Sequence, residues 1–133
     1  MATVHETLQD LRSKYVGEST DNLDHIHGLI RQLEGSPDLT SLEQLHRRFL
    51  GLAGSGYTYG FPLVSTLGRK GERLCAPSLQ QGQVLSPGRL VACRAVLDEL
   101  RAEFDRLLAA YTAGPWARRV PSRPQTWPVT LAS

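Results

Sequence analysis

Apolar side chains recur every three or four residues through most of the chain, the spacing of helices that bury one face. The first run consists of Val4, Leu8, Leu11 and Tyr15 and stops at Gly17. The second run consists of Leu23, Ile26, Ile30 and Leu33 and stops at Gly35. Since Ser19 or Thr20 can cap a helix N-terminus, we predict two N-terminal helices, at about 3–17 and 20–34.

Two further helices are predicted around a glycine and a proline. The turn GSPDLT precedes a third run, formed by Leu42, Leu45, Phe49 and Leu52. Gly60 and Pro62 should end this helix and start the next, because proline is tolerated in the first helical turn and disfavours helix in the residue before it. The fourth helix should end near Pro77, followed by a loop over 76–86.

The longest helical pattern follows Ser86 and Pro87, an N-cap residue and a proline at the first helical position. Its apolar positions are Leu90, Cys93, Leu97, Leu100, Phe104, Leu107 and Tyr111. Gly114 and Pro115 should end it. The last segment, 114–133, has no helical period and is rich in proline, so we expect a loosely ordered tail.

No segment alternates with period two, so the sequence predicts an all-α fold. Five helices joined by short connections pack most simply as an up-down four-helix bundle with an additional N-terminal helix. The second to fifth helices should form the core. We assign residues 1–113 to this domain and 114–133 to the tail.

Composition narrows the possible functions. Net charge is +2, and Arg118, Arg119 and Arg123 of the tail account for the basic excess, so we expect no nucleic-acid binding. No apolar run reaches the ~18 residues of a membrane span, nor does the N-terminus resemble a signal peptide, which favours a cytoplasmic protein without membrane contact. The two cysteines fit reduced core thiols, and His25 and His27 should point to different sides of a helix, so no metal or other cofactor is expected.

The segment Gly51–Thr58, GLAGSGYT, has several glycines where the flanking pattern predicts helix. It fits the phosphate-binding loop motif except that Tyr57 replaces the lysine, and that motif requires a preceding strand. Close packing is the alternative, since a bare helix surface allows another backbone or a partner to approach. At ~100° per residue, Leu50 falls roughly 120° from the centre of the apolar face and should point outward.

The segment LGLAGSGYTYGF, Leu50 to Phe61, resembles the histidine phosphotransfer (HPt) domains of bacterial phosphorelays, whose motif is H-x-x-K-G-x-x-x-x-x-G. Gly54 and Gly60 match the two motif glycines. A common variant of this motif lacks the lysine, and the further residues that match it are Leu52, Ser55, Gly56, Thr58 and Phe61. The resemblance covers about residues 5–112, includes Pro62 at the start of the fourth helix, and implies the HPt-like bundle. It also makes Gly54, Gly60, Phe61 and Pro62 structural motif residues.

The resemblance fails at the phosphoacceptor, because Leu50 stands at the histidine position and Ala53 at the lysine position. A leucine has no lone pair to carry a phosphoryl group. The chain is therefore expected to be a non-enzymatic signalling module that binds a response-regulator receiver domain or a histidine kinase. The expected partner-binding residues are Glu43, His46, Arg47, Leu50, Gly51, Ala53, Gly54 and Tyr57.

Two alternatives stay open at this point. His46, one turn before Leu50, could accept phosphate instead, although it lies ~6 Å along the helix and nearer to the core. The heptad spacing of the last helix could instead pair two copies of the chain as a homodimer. We also expect a surface ion pair between Glu43 and Arg47 beside the docking face, and Tyr59 in the core.

Overall fold

The computed structural model describes the backbone of residues 4–113 and the side chains of residues 7–111. Four helices account for nearly all of this backbone: α1, Val4–Gly35; α2, Leu39–Thr58; α3, Pro62–Gln80; and α4, Pro87–Ala113. Residues 4–113 contain no strand. The predicted all-α class is confirmed, and the predicted tail lies outside the described residues.

The first two predicted helices are one continuous helix of 32 residues, so the prediction of an additional N-terminal helix is wrong. Gly17 does not end α1, because its backbone is helical. A Cβ atom at this position would meet nothing within 4 Å, so the packing does not require a glycine there. Ser19 does not cap a new helix either, because its hydroxyl donates to the Tyr15 carbonyl within α1. Burial of Val16 and Leu23 against the bundle outweighs the ~1 kcal/mol cost of a helical glycine.

The first half of α1 also uses a different face from the one predicted. Leu8 and Leu11 are 44% and 46% exposed, whereas Val16 is fully buried. Arg12 and Tyr15 already contact the α2–α3 connection at Tyr59. Residues 7–11 therefore lie beyond the end of α2, and Leu8 and Leu11 remain nearly half exposed.

The α2–α3 connection follows the predicted chemistry. Asp38 caps α2 by accepting from the Ser41 backbone N–H at 2.7 Å. Gly60 has φ of +84°, a conformation that favours glycine, and α3 begins at Pro62. At its other end α3 continues through the exposed Pro77 to Gln80, so the loop predicted over 76–86 starts too early. One proline removes only one helical N–H donor, and partly buried Leu79 holds the last turn against the core.

The helices form a four-helix bundle in which α1 contacts α2, α2 contacts α3, α3 contacts α4, and α4 contacts α1. Antiparallel packing of α1 and α4 is shown by the ion pairs Glu34–Arg94 and Asp24–Arg101. The predicted apolar positions of α4 from Leu90 to Leu107 are buried, and Tyr111 packs against them. Within the described residues, no helix has the length and apolar character needed to cross a membrane.

The two cysteines lie in this core, as predicted. Cys75 of α3 and Cys93 of α4 are both free thiols with no exposed surface. A hydrogen bond to Cys93 and then burial raise the pKa of the Cys75 thiol far above its usual range. Because both thiols are buried, they act as small apolar side chains in the packed bundle.

Candidate functional site

Leu50 lies on the outer surface of α2 with 46% of its side chain surface exposed. Tyr57, two turns further along the helix, is 80% exposed. The outward direction predicted for Leu50 is confirmed. Two large apolar or aromatic side chains thus stand in solvent on one side of α2, which we call the Leu50 face.

Gly51 and Gly54 border the Leu50 face and are exposed. A Cβ atom at either position would meet nothing within 4 Å. The bundle itself therefore does not require glycine at these positions. They leave two bare patches of helix surface that a partner could approach more closely than a helix covered by side chains.

Gly56, one turn after Leu52, lies inside the bundle, unlike the exposed Gly51 and Gly54. It is buried, and a Cβ there would lie 2.7 Å from the Ser65 backbone nitrogen and 2.9 Å from a Val64 methyl carbon. On α3, a Cβ atom at Gly68 would likewise lie 2.5 Å from the Ala53 nitrogen and 2.8 Å from the Phe49 carbonyl oxygen. The close packing proposed for the glycine-rich stretch thus applies to Gly56, which faces α3.

Ala53 is only 2% exposed. Its carbonyl oxygen accepts a 2.6 Å hydrogen bond from the Ser65 hydroxyl, and its nitrogen lies against Gly68. A partner cannot reach this side chain, so Ala53 does not belong with the exposed residues predicted for binding. Its small size instead allows α3 to pack against α2.

Glu43 and Arg47 form the predicted ion pair, with 3.3 Å between Arg47 Nη2 and Glu43 Oε2. Their side chains are 56% and 73% exposed, respectively. Such a solvated pair stabilises a helix by only a few tenths of a kcal/mol. Both charges remain accessible at the border of the Leu50 face.

His46 is held by a carboxylate of the neighbouring helix. Its Nε2 lies 3.0 Å from Glu72 Oε2, and the two side chains are 21% and 19% exposed. This bond occupies one of the two ring nitrogens and fixes the ring against α3. The sequence showed that His46 lies nearer to the core than Leu50, but a partner 26 residues away carries no local signal.

The glycine-rich segment is attached to α1 by a cluster that sequence reasoning missed. Tyr15 stacks on Tyr59 with 4.5 Å between ring centroids, and its hydroxyl lies 2.7 Å from Ser55 Oγ. Arg12 Nε donates to the Tyr59 carbonyl at 2.8 Å. Burial raises the pKa of Tyr15, which keeps the phenol neutral. Tyr59 packs against the core as predicted, and the cluster fixes the C-terminal end of the Leu50 face.

The remaining motif residues take structural positions. Gly60 has the positive φ described above, Phe61 is buried and stacks on Tyr15, and Pro62 opens α3. Gly51–Thr58 is helical throughout, and this geometry lacks the strand-to-loop shape of a phosphate-binding loop. Among the described residues, no group of three or more histidine, cysteine or acidic side chains could hold a metal ion.

A second surface feature, on α3, has no counterpart in the sequence predictions. An open groove of about 500 Å³ is lined by Ser65, Thr66, Arg69, Lys70, Arg73 and Leu74. Lys70 Nζ lies 3.8 Å from Glu99 Oε1 on α4. The side chains of Arg69 and Arg73 are exposed and make no ion pair or hydrogen bond with any described residue. Their i, i+4 spacing could have indicated one basic side of α3.

Comparison of the chain with protein-family models, with curated proteins and with solved structures gives no match.

Proposed function

We propose that this chain is a non-catalytic, HPt-like signalling module that binds a response-regulator receiver domain, or a histidine kinase, without carrying phosphate. The observation that carries the proposal is the exposed Leu50 beside the bare surface at Gly51 and Gly54. In the HPt motif that the sequence resembles, the phosphoacceptor histidine occupies the Leu50 position. A four-helix bundle that presents this position to solvent supports the docking role.

The side chain at position 50 argues for binding without chemistry. An isobutyl group has no lone pair and no titratable proton, so it cannot attack a phosphoaspartate. It can, however, bury apolar surface when a partner covers it, at about 25 cal/mol per Å². Leu50 and Tyr57 would then form the apolar centre of the interface, with the Glu43–Arg47 pair at its border.

The His46 alternative is weakened by the bond to Glu72. Nε2 is occupied by a carboxylate oxygen at 3.0 Å, and the side chain is about one-fifth exposed. Phosphoryl transfer requires the reacting atoms to come within about 3–3.5 Å in the correct orientation. A histidine held against α3 meets this requirement less well than a side chain in the exposed Leu50 position.

The homodimer alternative is weakened by the packing of α4. The heptad positions that would pair two copies are buried in the chain's own core, from Leu90 to Leu107. Among the described residues of this helix, the exposed large apolar side chain is Val91. One valine provides too little apolar area for a stable helix pair.

The proposal is tested by calorimetric titration of the full chain with a panel of isolated receiver domains. Leu50→Arg should lower affinity for a bound receiver about tenfold or more, because it places a charge at the apolar centre. The matched control is Leu63→Arg on α3, since Leu63 is 47% exposed and lies roughly 120° around that helix from Arg69. Circular dichroism should show equal helix content in both variants.

Three results would contradict the proposal: binding of no receiver or kinase, equal losses for Leu50→Arg and Leu63→Arg, or acid-labile phosphate on the native chain. The last is measured by incubation with a receiver carrying radiolabelled phosphate. In the same assay, Leu50→His should acquire label, because it restores the missing imidazole in the matching motif.

A further inference from the structure

We infer that the partner of this chain docks through an acidic protein surface, and that Arg69 and Arg73 of α3 form the basic half of the interface. The inference rests on the proposed function, because it takes the Leu50 face as the docking surface. It goes beyond the proposed function in two ways: the partner's surface is acidic, and two arginines of α3 belong to the docking surface.

The contacts between α2 and α3 place these arginines beside the Leu50 face. The His46–Glu72 pair and the bond from Ser65 to the Ala53 carbonyl mark one edge of the helix–helix interface. At ~100° per residue, Leu50 lies roughly 40° outward from His46 around α2, and Arg69 lies roughly 40° outward from Ser65 around α3. Because the helices run antiparallel, both outward steps lead to the same side of the hairpin.

The positions of these residues along the helix axes agree with this placement. Phe49 packs against Gly68 and Gly71, so Leu50 is at the height of Arg69. His46 pairs with Glu72, and because the helices run antiparallel, Arg73 lies level with the residue before His46 and about 3 Å along the axis from Arg47. The apolar centre and the basic side chains thus border one continuous surface across the hairpin.

Charge on this surface is unbalanced within the described chain. Glu72 is engaged by His46 and Glu43 by Arg47. Arg69 and Arg73 have no acidic partner among the described residues, and both border the open groove on α3. Two adjacent guanidinium groups present planar forks of N–H donors that match carboxylates in bidentate pairs. An acidic partner would supply those carboxylates.

A protein partner fits this surface better than a nucleic acid. Nucleic-acid affinity comes mainly from many phosphate contacts, and 6–10 of them are typical of proteins with a strong salt dependence. Here Arg69 and Arg73, which have no acidic partner among the described residues, lie across the hairpin from exposed Leu50. An apolar centre with a charged border is the usual arrangement of protein–protein interfaces.

Charge reversal tests the inference with any receiver that binds the native chain. Arg69→Glu and Arg73→Glu should each lower affinity about tenfold, with a larger loss at about 0.02 M salt than at 0.15 M, because screening weakens the native attraction. The matched control is Arg31→Glu, which makes the same charge change at an exposed α1 residue that has no partner among the described residues. Arg31 lies on the side of α1 whose Asp24 and Glu34 pair with α4.

Equal losses in all three variants would overturn the inference while leaving the receiver proposal intact. A Leu50→Arg variant that binds as well as the native chain would instead overturn the proposed face. Circular dichroism on each variant separates a loss of binding from a loss of folding.

A second measurement does not depend on finding the natural partner. Hexaglutamate added to the isotope-labelled native chain should shift amide resonances of α3 around Arg69 and Arg73, and these shifts should disappear in Arg69→Glu but persist in Arg31→Glu. Absence of shifts on α3 would overturn the inference even if a receiver binds. The same shifts produced equally well by a short DNA duplex would also overturn it, since they would indicate a general polyanion surface.

Discussion

Glycines in this chain serve opposite purposes according to the surface they occupy. At Gly68 and Gly56 a Cβ would meet backbone atoms of the opposing helix at 2.5 Å and 2.7 Å, so these residues permit the close approach of α2 and α3. At Gly51 and Gly54 a Cβ would meet nothing within 4 Å. The first pair permits close packing of the bundle, whereas the second pair leaves bare helix surface in solvent.

Alanine substitutions should separate these two roles. Gly68→Ala should destabilise the chain by about 1–3 kcal/mol, because the added methyl group forces backbone apart. Gly54→Ala should stabilise it by about 0.5–1 kcal/mol, through higher helix propensity in open space. Urea unfolding followed by circular dichroism measures both changes in the free energy of unfolding.

Gly54→Ala should also weaken receiver binding if a partner approaches the bare helix there. A destabilising Gly54→Ala, or a neutral Gly68→Ala, would contradict the packing described for the hairpin.

At the scale of the elements, the helix ends follow local chemistry more closely than the helix interiors do. Asp38 caps α2 with bonds from the Ser41 backbone N–H at 2.7 Å and the Ser41 hydroxyl at 2.9 Å. The bond from the Ser41 backbone N–H lowers the pKa of the Asp38 carboxyl most, and the bond from the Ser41 hydroxyl lowers it further. Gly17, in contrast, lies inside α1 because Tyr15 and Val16 before it and Leu23 after it pack into the same core.

The Asp38 cap predicts a pH-dependent contribution to stability. A lowered pKa in the folded state means that the ionised carboxylate stabilises the fold above its unfolded pKa, near 4, and that this contribution is lost as pH falls through the folded pKa. Asp38→Asn keeps a side-chain acceptor but removes the titration. Its melting temperature should therefore fall less between about pH 5 and pH 2 than that of the native chain.

Asp105→Asn is the control for this profile, since Asp105 is exposed and makes no hydrogen bond or ion pair with a described residue. If the melting temperatures of Asp38→Asn and the native chain fall equally between about pH 5 and pH 2, the cap carboxylate contributes nothing to stability.

At the scale of the whole molecule, one core joins all four helices. Its largest fully buried side chains include Phe49 of α2 and Phe104 of α4, together with Leu23, Ile26, Ile30 and Leu33 of α1. Cys75 and Cys93 lie in this core, and their hydrogen bond and burial raise the pKa of Cys75. The thiols therefore report on opening of the bundle as a unit.

Reaction with a disulfide reagent such as Ellman's reagent should be roughly 100-fold or more slower in the native chain than in urea, because attack needs an exposed thiolate. Absorbance of the released thiol measures the rate. Gly68→Ala should accelerate the reaction by raising the population of open states. Prompt release of one equivalent from the native chain would contradict the burial of both cysteines.

The amino-acid sequence by itself determined the helical class, the outward direction of Leu50 and the start of α3 at Pro62. These features depend on local periodicity and on backbone chemistry within a few residues. The resemblance of 50–61 to the HPt motif likewise needed only adjacent residues, and it located the Leu50 face.

Tertiary structure decided the features that depend on distant partners. Only packing against the bundle shows that Gly17 continues α1, that Ala53 is buried beneath α3, and that Glu72 holds His46. The placement of Leu50 and Arg69 on the same side of the hairpin is of the same kind, since it depends on the relative rotation of two antiparallel helices. Local sequence carries the periodicity of each helix, whereas the rotation between helices is set by the side chains that interlock between them.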